Sequence, residues 1–114
     1  MKLLGRDTDG VTDISLKAII AIKEEGKQLE AVGIFGGRTN DITCMFYFDN
    51  DETYQASGFS IGYGGEGPHG LWKAIKLWYP KEIGDFNESK ISSLSDKKDW
   101  LWTPSGGFRE AETK

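Results

Sequence analysis

A glycine-rich segment that runs directly into an apolar-periodic one places the strongest constraint on how this chain folds. The segment "GFSIGYGGEGPHGLWKAIKLW" (Gly58 to Trp78) contains six glycines, one proline and the only histidine of the chain. Pro68 suits the first turn of a helix, where its missing N–H costs nothing. Apolar residues then follow at helical spacing on one face: Leu71, Ile75 and Trp78. The pattern predicts a tight turn followed by an amphipathic helix over about 68–79, which Pro80 ends.

The turn before this helix has two interpretations, a ligand cradle or a structural elbow. Glycines let backbone N–H groups approach a ligand, and the start of a helix favours an anion. The spacing matches neither a Walker motif nor a dinucleotide fingerprint. Glu66 would oppose a phosphate, so it either caps its own helix or binds a ribose hydroxyl or a base amine. The candidate ligand contacts in this segment are Tyr63, Gly64, Gly65, Glu66, Gly67 and His69.

The C-terminal segment "WLWTPSGGFR" provides a second group of candidate ligand contacts. An aromatic ring can stack on a nucleobase while a guanidinium pairs with its phosphate. Trp102, Phe108 and Arg109 supply these groups, and Arg38 in the turn "GGRTND" is a further candidate phosphate contact. The alternative is a C-terminal arm that packs on a neighbouring subunit.

The residues give no credible catalytic set. Cys44 and His69 are the only cysteine and histidine, and they are far apart in sequence. No zinc site is predicted, since such a site needs several ligands of these types. The acidic clusters at 7–13 and 49–52 are interpreted as solvated turns. We therefore predict no cofactor, no metal and no enzymatic activity. The weakest hypothesis is a small hydrolase or lyase that uses Glu66 and His69 as acid and base.

The remaining periodicity predicts an α+β fold. Ile14 to Ile22 alternate in polarity, which together with their β-branched content favours a strand over the rival helix from Asp13. "EEGK" then makes a hairpin turn, and "QLEAVGIF" is the return strand. "ITCMFYF" is a strand that is either buried on both faces or covered by helices on one face and by another chain on the other. The first half is thus an antiparallel β-meander, packed by the helix at 68–79.

The C-terminal part is predicted to hold a short helical segment, with "SDKKDWLW" as a capped helical turn and a further short helix possible near Asp85. Trp100 and Trp102 share a face if they lie in a strand and not if they lie in a helix. Residues 1–109 are expected to form one domain, followed by a disordered tail over 110–114.

Charge and apolar content restrict the class of partner. The net charge of −4 argues against a dedicated nucleic-acid binder. No run of about 20 apolar residues is present, which argues against a membrane span. A single cysteine and an N-terminus without a long apolar stretch fit a reducing cytoplasm. The long apolar strands exceed what 114 residues bury alone, so a homo-oligomer is expected.

The segment "SGFSIGYGGEGPHGLWKAIKL" resembles the signature of a family of small bacterial and phage domains of unknown function, in which a GYGG-x-GP phrase joins a sheet to a helix. The matching residues are Gly58, Phe59, Gly62, Tyr63, Gly64, Gly65, Gly67, Pro68 and Leu71. The chain departs from that pattern at Ile61, where an aromatic residue is usual, and at Glu66, where a small Ser or Thr is usual. The opening "LLGRDTDGVTDISL" is a looser match to the family's first strand.

The short acidic chain, with its N-terminal sheet and C-terminal helical part, is also similar in architecture to the phage Thoeris anti-defence sponge proteins. This resemblance implies oligomers that bind cyclic ADP-ribose-type immune signals without degrading them. The expected function is therefore sequestration of a small nucleotide signal in the cytosol of a bacterial host. The alternative is a protein–protein interaction module of phage or mobile-element origin, in which the glycine-rich loop is purely structural.

Overall fold

The computed structural model of this chain describes residues 2–36, 42–80 and 87–111. Within these ranges the chain forms an α+β fold, which confirms the predicted class. The helices and strands follow in this order: β1 Lys2–Arg6, α1 Thr12–Glu24, β2 Leu29–Phe35, β3 Thr43–Phe48, β4 Glu52–Ala56, α2 Glu66–Lys76, α3 Glu88–Ser93, β5 Trp100–Thr103 and β6 Gly107–Glu110. A 3₁₀ turn at Asp49–Asp51 joins β3 to β4.

The strands form one mixed sheet in the order β1-β4-β3-β2-β5-β6. Strands β2, β3 and β4 pair antiparallel with their sequence neighbours, which confirms a meander in this part of the chain. The β5–β6 hairpin joins the free side of β2. Strand β1 instead pairs in parallel with β4. The carboxyl ends of β1 and β4 therefore meet at one end of the sheet, and the loops that follow them are neighbours.

Residues 14–22 form a helix, so the predicted strand is wrong. Ser15, Ile19 and Ile22 are the buried residues of α1, and their spacing of four and then three positions is helical. The alternation of polarity fits a strand equally well, but Ile14 is 42% exposed because it lies off this buried stripe. "EEGK" is accordingly the end of a helix, where Gly26 takes the left-handed conformation (φ +87°) usual just after a helix.

The C-terminal prediction is corrected in a similar way. The short helix is α3, capped by the Asn87 side chain, which accepts a hydrogen bond from Lys90 N at 2.8 Å. "SDKKDWLW" is a turn followed by β5, because alternating large side chains fit a strand with one buried face. Strand β6 continues to Glu110, so the predicted disordered tail begins too early. Residues 112–114 lie outside the described residues.

One face of the sheet packs against the helices and forms the core. Strand β3 alternates, with Cys44, Phe46 and Phe48 buried. Met45 and Tyr47 lie on the other face and are only half-buried, so β3 is not buried on both faces within this chain. The helices cover one of its faces, as the alternative expected, and another chain on the other face stays a prediction. Buried apolar residues from all three helices belong to the same core cluster. The helices therefore cover one face of the sheet.

Helix α2 confirms the predicted amphipathic helix, although it begins at Glu66 and ends at Lys76. Leu71 and Ile75 are fully buried. Trp78 follows the helix, with its ring 5.6 Å from that of Phe48 and its Nε1 donating to Lys27 O at 2.7 Å. Among the described residues, no helix combines the length and apolar character needed to cross a membrane.

Candidate functional site

A cleft of about 980 Å³ opens where the carboxyl ends of β1 and β4 meet. The loop from β1 to α1 forms one wall and the loop from β4 to α2 forms another. The start of β3 and the turn after α3 complete it. Its lining residues are Asp7, Thr8, Asp9, Gly10, Val11, Thr12, Ile42, Thr43, Gln55, Ser57, Gly58, Phe59, Ser60, Ile61, Tyr63, Glu66, Gly67 and Asp96. The parallel pairing of β1 and β4 thus creates the cleft.

The Asp7 carboxylate ties the walls of the cleft together. It accepts from Ser15 Oγ at 2.9 Å to each oxygen and from Tyr54 Oη at 3.0 Å. It also accepts from Ser57 N at 3.0 Å and Ser57 Oγ at 2.6 Å. Ser57 Oγ in turn accepts from Gly10 N at 3.0 Å. One carboxylate therefore links the end of β1, helix α1, strand β4 and both loops.

The electrostatics of this cluster mark it as structural. Burial raises the pKa of Asp7, but the hydrogen bonds from Ser57, Ser15 and Tyr54 together outweigh it and leave the pKa below its ordinary value. Burial and the hydrogen bond to Asp7 raise the pKa of Tyr54 to about 12. At neutral pH Asp7 is ionised and Tyr54 is protonated. Both Asp7 oxygens are engaged, so this carboxylate is not free to act as a base.

Two glycines of the motif are explained by close packing against helix α1. Gly58 N donates to Ser15 Oγ at 2.9 Å, and Thr12 Oγ1 donates to Gly58 O at 2.7 Å. A Cβ on Gly58 would overlap the carbonyl of Val11, and one on Gly70 would overlap the Thr12 methyl group. These glycines allow the first turn of α1 to pack against the β4–α2 loop and α2.

The glycines of the loop itself divide into two groups. Gly62 has a φ of +86°, and its N–H donates to Ile91 O at 3.2 Å. A Cβ on Gly65 would lie 2.6 Å from the Tyr63 ring, and one on Gly67 would lie 2.5 Å from Ser60 Oγ. Gly64 has neither constraint: no atom lies within 4 Å of an added Cβ, and its φ lies outside the left-handed region. Structure alone therefore explains the other loop glycines but not Gly64.

Glu66 lies at the mouth of the cleft and does not cap its helix through its side chain. Gly65 is the N-cap of α2, and no side chain makes a cap hydrogen bond there. Glu66 is exposed and lines the cleft. The cleft also contains the carboxylates of Asp9 and Asp96, while none of its described lining residues is Lys, Arg or His. Its described side-chain charge is therefore negative.

Ser60 contributes an orphaned polar atom to the same cleft. Its Oγ is buried and has no hydrogen-bond partner. It lies beside Gly67 in the first turn of α2, and both residues line the cleft. A buried hydroxyl without a partner is costly. If the side chain rotates toward the cleft, a polar group of a bound ligand would satisfy this hydroxyl.

His69 is held outside the cleft. Its Nδ1 lies 3.0 Å from Glu88 Oε1, and its ring lies 5.4 Å from that of Trp72. It is not among the lining residues, whereas Glu66 is. Glu66 and His69 therefore do not face a common point at which they could act together as acid and base. His69 instead connects α2 to α3, which holds Gly62 through the carbonyl of Ile91.

The C-terminal candidate residues do not join the glycine loop. Trp102 is 2% exposed and packs edge-on to Tyr79, with the ring centroids 5.4 Å apart. Phe108 pairs with Trp102 and packs against the core, while the adjacent Arg109 is exposed. Successive residues of a strand point to opposite faces, so this ring and guanidinium do not form one clamp. They lie on β5 and β6, across the sheet from β1. Arg38 lies outside the described residues.

Of the predicted contacts, Tyr63, Glu66 and Gly67 line the cleft, but sequence reasoning missed the acidic residues that complete it. Asp7 and Asp9 were interpreted as part of a solvated turn, and Asp96 as part of a helical turn. The available signal was that Asp7 directly follows a strand and soon precedes a helix whose buried face includes a serine, Ser15. This pattern identifies Asp7 as a cleft residue only when the pairing of β4 with β1 is known.

Comparison of the chain with protein-family models, curated proteins and solved structures finds no match. Among the described residues, no group of three or more His, Cys, Asp or Glu side chains is placed to hold a metal ion. Cys44 is buried in the core, and burial raises its pKa to about 12, so its thiol is not activated.

Proposed function

We propose that this chain is a non-enzymatic binding protein that sequesters a small nucleotide-type signal in the cleft at the start of α2. The cleft itself carries the proposal, because about 980 Å³ lies at the upper end of the range of small-molecule sites. The hydrogen bonds of Asp7 hold its walls in place and leave the side chains of Ser60 and Glu66 unengaged. Such a cleft favours binding over catalysis, since the described lining offers no histidine or cysteine.

The biological setting in this proposal is phage anti-defence in the cytosol of a bacterial host. It rests on the resemblance of the GYGG-x-GP segment and on the similarity to cyclic ADP-ribose sponges. The exposed ring of Tyr63 offers a surface for a nucleobase, and the first-turn N–H groups of α2 have no side-chain cap. Glu66 accepts from a ribose hydroxyl or a base amine.

Calorimetry and thermal melting with adenosine, nicotinamide riboside, cyclic ADP-ribose isomers and cyclic dinucleotides test this function. We expect at least one member to bind, and a ligand at 100 times its dissociation constant to add about 2.7 kcal/mol to the free energy of unfolding. Gly64→Ala is expected to keep the melting temperature but weaken binding about tenfold, because its methyl group stands on the loop surface that the ligand approaches.

The matched control is Ser105→Ala, an exposed change in the β5–β6 turn away from the cleft. It is expected to leave both melting temperature and affinity unchanged. Absence of binding heat and of a melting shift with every panel member would contradict the proposed function. Unaltered ligand binding in Gly64→Ala would assign the loop a purely structural role.

A second candidate function, an interaction module that self-associates, is favoured by the second face of the sheet, which none of the described helices covers. We call this the open face. The strand register places these residues on it: Leu3, Ala31, Gly33, Phe35, Thr43, Met45, Tyr47, Thr53, Gln55, Leu101 and Thr103. All of them are uncharged, and the arginines on this face, Arg6 and Arg109, lie on the edge strands. A second copy of the chain can therefore pack its own open face here without burying an unpaired charge.

Light scattering at micromolar concentration checks this self-association. Leu3 and Ile14 are both large exposed apolar residues, 48% and 42% exposed, but only Leu3 lies on the open face. We expect Leu3→Lys to shift the protein toward monomer and Ile14→Lys, the matched control, to leave its mass unchanged. A monomeric wild-type protein would rule out self-association through this face.

A further inference from the structure

Three carboxylates gather around the cleft, and none of them has a cationic partner in the described part of the chain. Elsewhere, Glu52 and Glu110 form ion pairs with Lys27 and Lys98 at 2.8 and 3.1 Å. In the described structure, no hydrogen bond or ion pair engages Asp9, Glu66 or Asp96, the remaining carboxylates of the cleft. Three unneutralised negative groups therefore surround one concave surface.

A concave surface with charges of one sign raises the local concentration of the opposite charge. A ligand carrying positive charge gains from all three of these carboxylates, whereas a phosphate placed among them is repelled. The backbone N–H groups at the start of α2 offer an anion only partial charges. Electrostatics thus favours a cationic group inside the cleft and leaves any phosphate of the same ligand outside.

Tyr63 makes this surface suitable for a flat cation. One part of its ring packs against the loop, since a Cβ on Gly65 would lie 2.6 Å from a ring carbon. The side chain is nevertheless 52% exposed and lines the cleft. An aromatic ring attracts a cation placed over its face. A flat, positively charged heterocycle can stack there while the carboxylates balance its charge.

Ser60 indicates where the polar substituents of such a ligand would bind. Its buried Oγ has no partner and lies beside the first turn of α2. The hydroxyls of Thr8 and Thr12 line the same cleft, although Thr12 already donates to Gly58 O. Sugar hydroxyls or a carboxamide would pair with an orphaned hydroxyl of this kind. The hydroxyls do not depend on the negative charge of the cleft, and they fit the polar substituents of the same flat, cationic ligand.

We infer that the cleft selects its ligand by charge and binds the cationic heterocycle and sugar of a nucleoside-type molecule. This inference rests on the proposed function and names the ligand class for the same site. It assigns Glu66 and Asp96 to recognition of the positive charge, Tyr63 to stacking and Ser60 to a polar substituent.

Nicotinamide riboside and its dihydro form provide the test, because they have the same skeleton and differ in the positive charge of the ring. Calorimetry at low salt is expected to show at least tenfold tighter binding of the cationic form. The preference is expected to shrink as ionic strength rises, since salt screens exposed charges. Glu66→Gln and Asp96→Asn are each expected to reduce it several-fold, and Glu24→Gln, an exposed change on α1, is the matched control.

The outcomes separate this inference from the function on which it rests. Equal or tighter binding of the uncharged dihydro form, or an unchanged preference in both variants, would overturn the charge selection. If neither riboside binds but cyclic ADP-ribose or a cyclic dinucleotide does, the binding function stands and the cationic ligand class is wrong. If no compound binds, both are wrong.

Discussion

Asp7→Asn is expected to lower the free energy of unfolding by about 2 kcal/mol, and the melting temperature by roughly 8 °C. The change replaces one acceptor oxygen with a donor amide and removes the charge that strengthens the remaining bonds. Ser15, whose hydroxyl donates to this carboxylate, is completely buried and would lose a partner. Chemical denaturation and calorimetric melting at neutral pH measure the effect.

The same variant is expected to lose part of the acid sensitivity of the wild-type protein. The pKa of Asp7 is lowered from 3.8 in the folded chain, because the hydrogen bonds it accepts outweigh the effect of its burial. As the pH falls, Asp7 is therefore protonated at a higher pH in the unfolded chain than in the folded chain. The stabilisation is present above about pH 4 and is lost as pH falls through the folded pKa. The stability difference between the two proteins should accordingly shrink in denaturation curves measured from about pH 6 to about pH 2.

Asp9→Asn is the matched control, since Asp9 is an exposed carboxylate two residues away that makes no hydrogen bond in the described structure. It is expected to change stability by less than about 0.5 kcal/mol. Equal effects of the two variants, or an Asp7→Asn protein with wild-type stability, would contradict the structural role of Asp7.

Gly58→Ala is expected to cost about 3 kcal/mol, and it has the largest effect among the glycine substitutions in the motif. The added methyl group would overlap the backbone carbonyl of Val11 and approach Ser15 Oγ within 2.7 Å. A carbonyl at the start of a helix cannot turn aside as a flexible side chain can. Helix α1 would have to move away from the loop, and the hydrogen bond from Gly58 N to Ser15 Oγ would weaken.

Gly64→Ala tests whether this cost arises from the local contact. It adds the same methyl group to the same loop, but no atom lies within 4 Å of it. It is expected to leave stability unchanged or to raise it by about 0.5 kcal/mol through the unfolded state. Urea denaturation of both variants checks the pair, and a Gly58→Ala protein as stable as Gly64→Ala would refute the close approach of α1.

The local sequence pattern was sufficient to predict those helices and strands whose spacing of apolar residues fits only one type of secondary structure. Pro68 and the apolar stripe that follows it predicted α2, and the β-branched and aromatic runs predicted β2 and β3. Over residues 14–22 the pattern was ambiguous, because Ser15, Ile19 and Ile22 also form a helical stripe. Intrinsic propensity is too weak to decide such a case, and packing against α2 favours the helix.

The candidate site was only partly predictable for a different reason. The sequence by itself determined the tight turn before α2, with Tyr63, Glu66 and Gly67 beside a helix start. It did not determine their surroundings, since Asp7 joins partners 47 and 50 positions away, Tyr54 and Ser57. Only the parallel pairing of β1 with β4 brings those groups together. Strand order also separates Phe108 and Arg109 from the loop, because hydrogen bonds between distant strands decide which side chains become neighbours.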